Sequence, residues 1–213
     1  MYWCVPRVLN YEQLKKNTKE QLSLARWSHT KRVVETAEKL AFCHQVAIED
    51  AKVAALLHDY CKEWPSNKLT FELKRVLETQ LLIQLKHWLK FEAAQNYPPT
   101  FWHGPVAALV AKEFFNIKNQ DILNSIAYHT TGRPNMSNLE KVVLLADYLE
   151  PNRNFPGVLR LRQLAQSDLS QAMLHVTETK ISYLLENSKV IFPGTLVTRN
   201  YYLLESEQSN EDN

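Results

Sequence analysis

The sequence predicts an all-α protein, and three observations carry the prediction. Glycine occurs 4 times in 213 residues, roughly 2% against an ordinary ~7%. β-Sandwiches and Rossmann folds use glycine in turns and phosphate loops, and this chain has almost none. Apolar residues recur at helical spacing in segment after segment. Helix-start and helix-stop signals punctuate those segments, among them Thr18-Lys19-Glu20-Gln21, Ser137-Asn138-Leu139-Glu140 and Pro151.

Taken in order, the first helix starts at the Thr18 capping box and runs to about His44, with Val33, Ala37, Leu40 and Ala41 on one face. Glu49 to Tyr60 forms a second helix, buried because its centre, Val53 to Leu57, is almost wholly apolar. Residues 64–101 are the least legible part, with amphipathic helical pieces between the breakers Trp64-Pro65 and Tyr97-Pro98-Pro99. His103-Gly104-Pro105 opens the next helix, with proline in its first turn and Val106, Ala107 and Val110 on one face. A short helix follows over 120–129. The Ser137 box starts another, which stops at Pro151. Helices over 157–166 and 169–187 come next, and Pro193-Gly194 makes a turn before the last helix. These elements make one domain over residues 1–205. The polar segment SEQSNEDN, 206–213, reads as a disordered tail.

Composition limits the function classes. Hydrophobic residues make up 45% and charged residues 23%, which excludes wholesale disorder. The net charge is +2, and no basic stretch with interleaved aromatics stands out, so a nucleic-acid polymer is not an expected partner. The Lys/Glu mixtures at 12–20 and 31–39 read as solvated helix faces. Apolar runs reach about six residues, far below the ~20 of a membrane span, and the N-terminus has no signal-like apolar region. Cys4, Cys43 and Cys61 are odd in number and irregularly spaced, as expected of reduced thiols in a cytoplasmic protein.

Six polar residues sit where apolar ones belong. His29 precedes Val33 by four residues. His58 and Asp59 end the most hydrophobic helix, His103 begins the Val106/Val110 face, and His129 follows Ile122 and Ile126. Asp147 stands four residues after Val143 and eight after Leu139. An aspartate on an apolar face is costly unless paired or metal-bound. A lone histidine there is ordinarily a hydrogen-bonded core residue. Taken jointly, H…HD…H…H…D is satisfied at once by two cations, and imidazole with carboxylate suits iron, manganese or zinc. His44, His87 and His175 lack such company and read as incidental. Trp64, Trp88, Phe101 and Trp102 read as core aromatics, with adenine stacking as the functional alternative.

At these residues the chain resembles the HD-domain metal-dependent phosphohydrolases, and among them the YqeK family. The matching segments are Arg26-Trp27-Ser28-His29-Thr30, AALLHDYCK (54–62), HGPVAA (103–108), YHTTGRPNMSNLEKVVLLADYLEPNRNFPGV (128–158) and RLRQLA (160–165). The resemblance spans roughly residues 10–205. It implies an all-helical HD bundle around a buried dinuclear site, with iron as the metal. It implies symmetrical hydrolysis of diadenosine tetraphosphate to two ADP. Carried over by position, His29, His58, Asp59 and Asp147 hold one metal. Asp59, bridging, holds the second with His103 and His129. Cys61, Trp64 and Asn135 depart from the pattern without touching a ligand.

Two cations suit phosphate hydrolysis because they acidify a shared water, hold phosphoryl oxygens and absorb developing charge. In-line attack on an inner phosphorus then expels ADP. Asp59 and Lys62 are the expected catalytic residues, Lys62 lying at the scissile phosphate. Arg133 and Arg153 are expected on the remaining phosphates, and Thr130, Thr131 and Gly132 form a loop for phosphate or sugar. Each has a plainer reading. Arg153 can pair with Glu150 or cap its helix, Arg133 can be solvated, Lys62 can be an ordinary surface lysine, and Gly132 can simply end a helix. The ligand pattern fits two alternatives as well, an HD hydrolase of another nucleotide or a non-catalytic nucleotide-binding module. A homodimer is compatible with the sequence.

Overall fold

In the computed structural model, which describes residues 10–79, 81, 97, 98 and 101–211, the described residues form ten helices and no strand. Asn10 starts α1 (Tyr11–Gln21) with a capping box, its side chain accepting from the Gln13 amide while Gln13 accepts from the Asn10 amide. Ser23 caps α2 (Leu24–Cys43). The single helix expected from Thr18 to His44 is therefore two. Thr18 lies inside α1, its hydroxyl bonded to the Leu14 carbonyl at 2.8 Å. Ser23 prevails as the cap because Glu63, 40 residues away, holds both its amide and its hydroxyl at 2.7 Å.

α3 (Ile48–Leu57) and α4 (Ser66–Glu78) follow. The end of α3 is abrupt: Tyr60, Lys62 and Trp64 donate to the carbonyls of Leu57, Asp59 and Cys61, three residues back each time. The expected helix thus stops three residues short of Tyr60, and the tight turns carry Asp59 inward. The amphipathic pieces expected beyond Glu78, with His87 and Trp88, lie outside the described residues, as does Cys4.

α5 (His103–Glu113), α6 (Gln120–Tyr128) and α7 (Asn138–Leu149) form the second half of the core. The Ser137 box caps α7 as expected, with Glu140 closing it. α8 (Val158–Ser167), α9 (Leu169–Glu186) and α10 (Pro193–Glu211) complete the chain. Pro193 and Gly194 belong to the first turn of α10 rather than to a separate turn, since proline at the first helical position forfeits no bond. α10 carries helix over 206–211, into the segment whose composition suggests a tail; extending a formed helix needs no new nucleus.

α2 packs on α3 and α7, α6 on α3, α5 and α7, and α9 on α7, α8 and α10. One apolar cluster runs through all of these contacts. Trp102, 2% exposed, meets Tyr97, Phe101 and Phe192 edge-on, which makes Trp102 a core residue, leaves Phe101 partly buried against the core, and ties the start of α5 to the start of α10. No described helix is long and apolar enough to cross a membrane.

Candidate metal centre

Five helices converge on one polar cluster. α2 supplies His29, and the turn after α3 supplies His58 and Asp59. His103 opens α5, His129 ends α6, and Asp147 lies in the last turns of α7. The four imidazoles and Asp59 are buried, while Asp147, with 21% of its side chain exposed, marks the open edge.

Asp59 divides the cluster in two. Its Oδ1 lies 3.1 Å from His103 Nε2 and 3.7 Å from His129 Nε2. Its Oδ2 lies 3.4 Å from His58 Nε2 and 3.8 Å from His29 Nε2. Asp147 Oδ1 stands 3.0 Å from His29 Nε2 and 3.9 Å from His58 Nε2. All six expected ligands thus come together.

The opposite ring nitrogens are already engaged. His58 Nδ1 bonds the Ala55 carbonyl at 2.6 Å, and His129 Nδ1 bonds that of Ile126 at 2.8 Å. His29 Nδ1 meets Glu150 Oε1 at 3.2 Å, and Arg32 holds Glu150 from the other side at 2.6 Å. Such contacts fix the tautomer and turn each Nε2 lone pair toward the cluster. His29 and His58 Nε2 are buried without a hydrogen bond of acceptable geometry. Buried polar atoms in that condition are costly. Imidazoles and carboxylates with converging lone pairs are the donor set that iron, manganese or zinc takes, so the residues fit a metal.

Charge follows the same division. Burial lowers His103 to about 4 and lowers His129, favouring neutral rings. For His58, burial is outweighed by Asp59 and Asp147, and the ring is pushed up. Burial would raise Asp59 and Asp147, but the surrounding imidazoles hold both carboxyls below their ordinary range.

The flanking residues fall into two groups. Lys62 Nζ is 3.3 Å from His103 Nε2 and 4.0 Å from Asp59 Oδ1. Thr130 Oγ1 is 2.9 Å from His129 Nε2. Arg153 bonds Asp147 Oδ1 at 2.9 Å and the Asp147 carbonyl at 3.0 Å, so its guanidinium is not the Glu150 partner that sequence proximity suggested. These three, with Thr131, border the cluster. Gly132 turns the chain at φ +68°, where a Cβ would stand 2.6 Å from Thr198 Cγ2, so this position requires glycine.

Arg133 is held elsewhere. Its Nε bonds Glu140 Oε1 at 2.6 Å, and Glu140 is fully buried. Burial raises the Glu140 carboxyl even against the Arg133 charge. The solvated reading of Arg133 therefore fails: the residue ties the 130–137 loop to the start of α7. Arg133→Ala leaves Glu140 without its charge partner and should cost about 3–5 kcal/mol, a fall in Tm on the order of 10 °C. Thermal unfolding monitored by circular dichroism checks this, and an unchanged Tm would remove the structural role.

Three residues were not singled out from sequence. Arg26 Nη1 sits 2.8 Å from Asp59 Oδ2. Glu150 orients His29. Lys180, on α9, bonds the Thr130 carbonyl. Arg26 was within the resembling segment, but its one-turn spacing before His29 was the only available signal.

Helices that gather four histidines and two aspartates into one buried cluster centred on Asp59 define an HD domain with a candidate metal site. A family model described as HD domain matches residues 26–152. The symmetrical bis(5'-nucleosyl)-tetraphosphatase of Bacillus subtilis is 36% identical over 91% of this chain and 97% of its own length. That of Halalkalibacterium halodurans is 38% identical over 89% and 95%. A Clostridium acetobutylicum crystal structure, described as a predicted HD superfamily hydrolase involved in NAD metabolism, superposes with TM-score 0.80 at 32% identity, covering 93% of this chain and all of that one. The chain belongs to the HD domain family and, within it, to the YqeK-type phosphohydrolases.

Proposed function

We propose that this chain cleaves diadenosine tetraphosphate symmetrically to two ADP, the reaction class of the Bacillus and Halalkalibacterium relatives. The observation that carries the reading is the Asp59 carboxylate, with one oxygen toward His103 and His129 and the other toward His29 and His58. His29, His58, Asp59 and Asp147 would hold one metal, and Asp59, His103 and His129 a second. Iron is the metal we favour, on family resemblance, over manganese or zinc. When bound, such a pair acidifies water and neutralises phosphoryl charge.

The chain's own residues do the rest. Helix contacts and the Nδ1 bonds of His29, His58 and His129 preset these imidazoles, so little reorganisation is needed at the site. Lys62, beside His103 and Asp59, is placed to meet the scissile phosphoryl oxygens. Arg153 brings a second cation, a guanidinium, to the open edge at Asp147, where the remaining phosphates extend. Thr130 presents its hydroxyl beside His129, and the Thr131 hydroxyl braces the turn at Gly132 by donating to its carbonyl. Arg133 contributes by fixing that loop. The free thiols Cys43 and Cys61 accord with a cytoplasmic setting.

The test is metal content and product analysis on protein purified without chelator. Two metals per chain and ADP as sole product from diadenosine tetraphosphate are expected. AMP plus ATP would overturn the symmetrical cut. Absence of turnover in fully metallated protein would turn the reading to another nucleotide or to a binding module.

A further inference from the structure

We propose that Lys180 is a phosphate-binding residue of this site, seating the terminal phosphate of a nucleoside diphosphate in a small cavity between α9 and the loop after α6. The inference rests on the nucleotide-hydrolase reading above and names a residue and a subsite that reading does not include.

The cavity holds about 70 Å³ and is bordered by Lys62, His129, Thr130, Asp147, Lys180 and Thr195. A water takes roughly 30 Å³ of liquid, so the space suits one phosphoryl group and is far too small for a nucleoside. It shares His129 and Asp147 with the metal cluster, so a group seated there adjoins the reacting phosphate.

Its charge is unbalanced. Lys180 donates to the Thr130 carbonyl, and no carboxylate lies within 4.0 Å of its ammonium among the described residues. Burial draws the amine down to about 8, with Asp147 opposing the fall and Lys62 and Arg153 adding to it. Asp147, which lines the same cavity, already stands 3.0 Å from His29 Nε2 and 2.9 Å from Arg153. Two lysines therefore face one cavity whose sole carboxylate is engaged. A phosphate oxygen there gains charge-assisted hydrogen bonds from both, together with the Thr130 hydroxyl. The Thr130 carbonyl holds Lys180 in place, so little freedom is lost when the anion arrives. Lys180 moves no proton in this role.

A structural alternative is that Lys180 merely straps α9 to the loop, and two variants separate the readings. Lys180→Gln can still donate to the Thr130 carbonyl but carries no charge. Lys180→Arg keeps the charge. In metallated protein, calorimetric titration with ADP should show K180Q binding about 10- to 100-fold more weakly than the parent. AMP, lacking the second phosphate, should bind within about twofold of the parent, and metal content should be unchanged. K180R should keep ADP affinity within about threefold. For diadenosine tetraphosphate, K180Q should raise KM more than it lowers kcat. Parent-like ADP binding by K180Q, or equal losses for AMP and ADP, overturns the proposal. Should K180Q not fold, K180R decides alone, and a loss of ADP affinity beyond tenfold in it counts against the proposal. A parent protein that fails to cleave diadenosine tetraphosphate sinks the functional reading, while the ADP and AMP titrations still decide Lys180.

Discussion

Asp59→Ala should abolish hydrolysis, with turnover down at least about 10³-fold, the scale on which removing one member of a catalytic unit acts. No other residue of the cluster has comparable reach. Its two oxygens approach all four site imidazoles, and Arg26 adds a bond at 2.8 Å. Deleting the carboxylate removes the group shared by both halves, so bound metal should fall together with activity. Asp59→Asn keeps the shape and loses the charge, and it should lose activity nearly as far. Metal analysis beside an ADP-release assay checks both variants. An Asp59→Ala protein that retains two metals and a tenth of parental activity would show that the two halves do not depend on a shared carboxylate.

Gly104→Ala should be nearly as damaging, through geometry rather than chemistry. A Cβ at residue 104 would stand 2.8 Å from the Ala127 carbonyl oxygen, 3.0 Å from that of Ile126 and 3.2 Å from His129 Cε1. Two of these obstacles are helix backbone and cannot rotate away. α5 must then retreat from α6, and His103, the adjoining residue, moves with it. His103 and His129 Nε2 are 3.0 Å apart, so a shift of a few tenths of an ångström acts directly on the second half of the site. Overpacking of this kind costs about 1–3 kcal/mol, a Tm loss on the order of 5 °C. Misplaced reacting groups are more sensitive still, and activity should drop at least about tenfold. Loss of activity exceeding what the Tm change explains is the expected signature. Parental activity in G104A would show that α5 and α6 tolerate separation.

The six candidate ligands are legible because each interrupts an apolar stripe. A histidine four residues before Val33, or an aspartate four after Val143, is conspicuous in a pattern that is otherwise hydrophobic. The two capping boxes differ instructively. Ser137 and Glu140 are close in sequence and close in space, and the helix begins where they say. Thr18 offered the same letters, but Ser23 took the cap because Glu63 anchors it from 40 residues away. Lys180 was illegible for a similar reason. On α9 it is one lysine among the polar residues of an amphipathic helix, and only the packing of α9 against α7 brings it to the cavity. The Arg133–Glu140 pair spans seven residues across an irregular loop, where no helical or strand register applies. Periodic burial is written locally, whereas partners across elements are decided by the tertiary fold.

The cluster draws its six candidate ligands from residue 29 through residue 147, from two groups of helices, α2–α3 and α5–α7, with α4 between them. No fragment shorter than that span holds the complete set. A metal ion that binds this arrangement and not the unfolded chain acts as a clasp on the whole domain, adding stability that grows with the logarithm of its free concentration. Competence is also gained late in folding. Contacts spanning more than a hundred residues, such as His29 with Asp147, close slowly, so a nascent or partly unfolded chain lacks the complete six-residue centre. Starvation for metal would thus reach the protein twice, once at the chemistry and once at the lifetime of the fold itself.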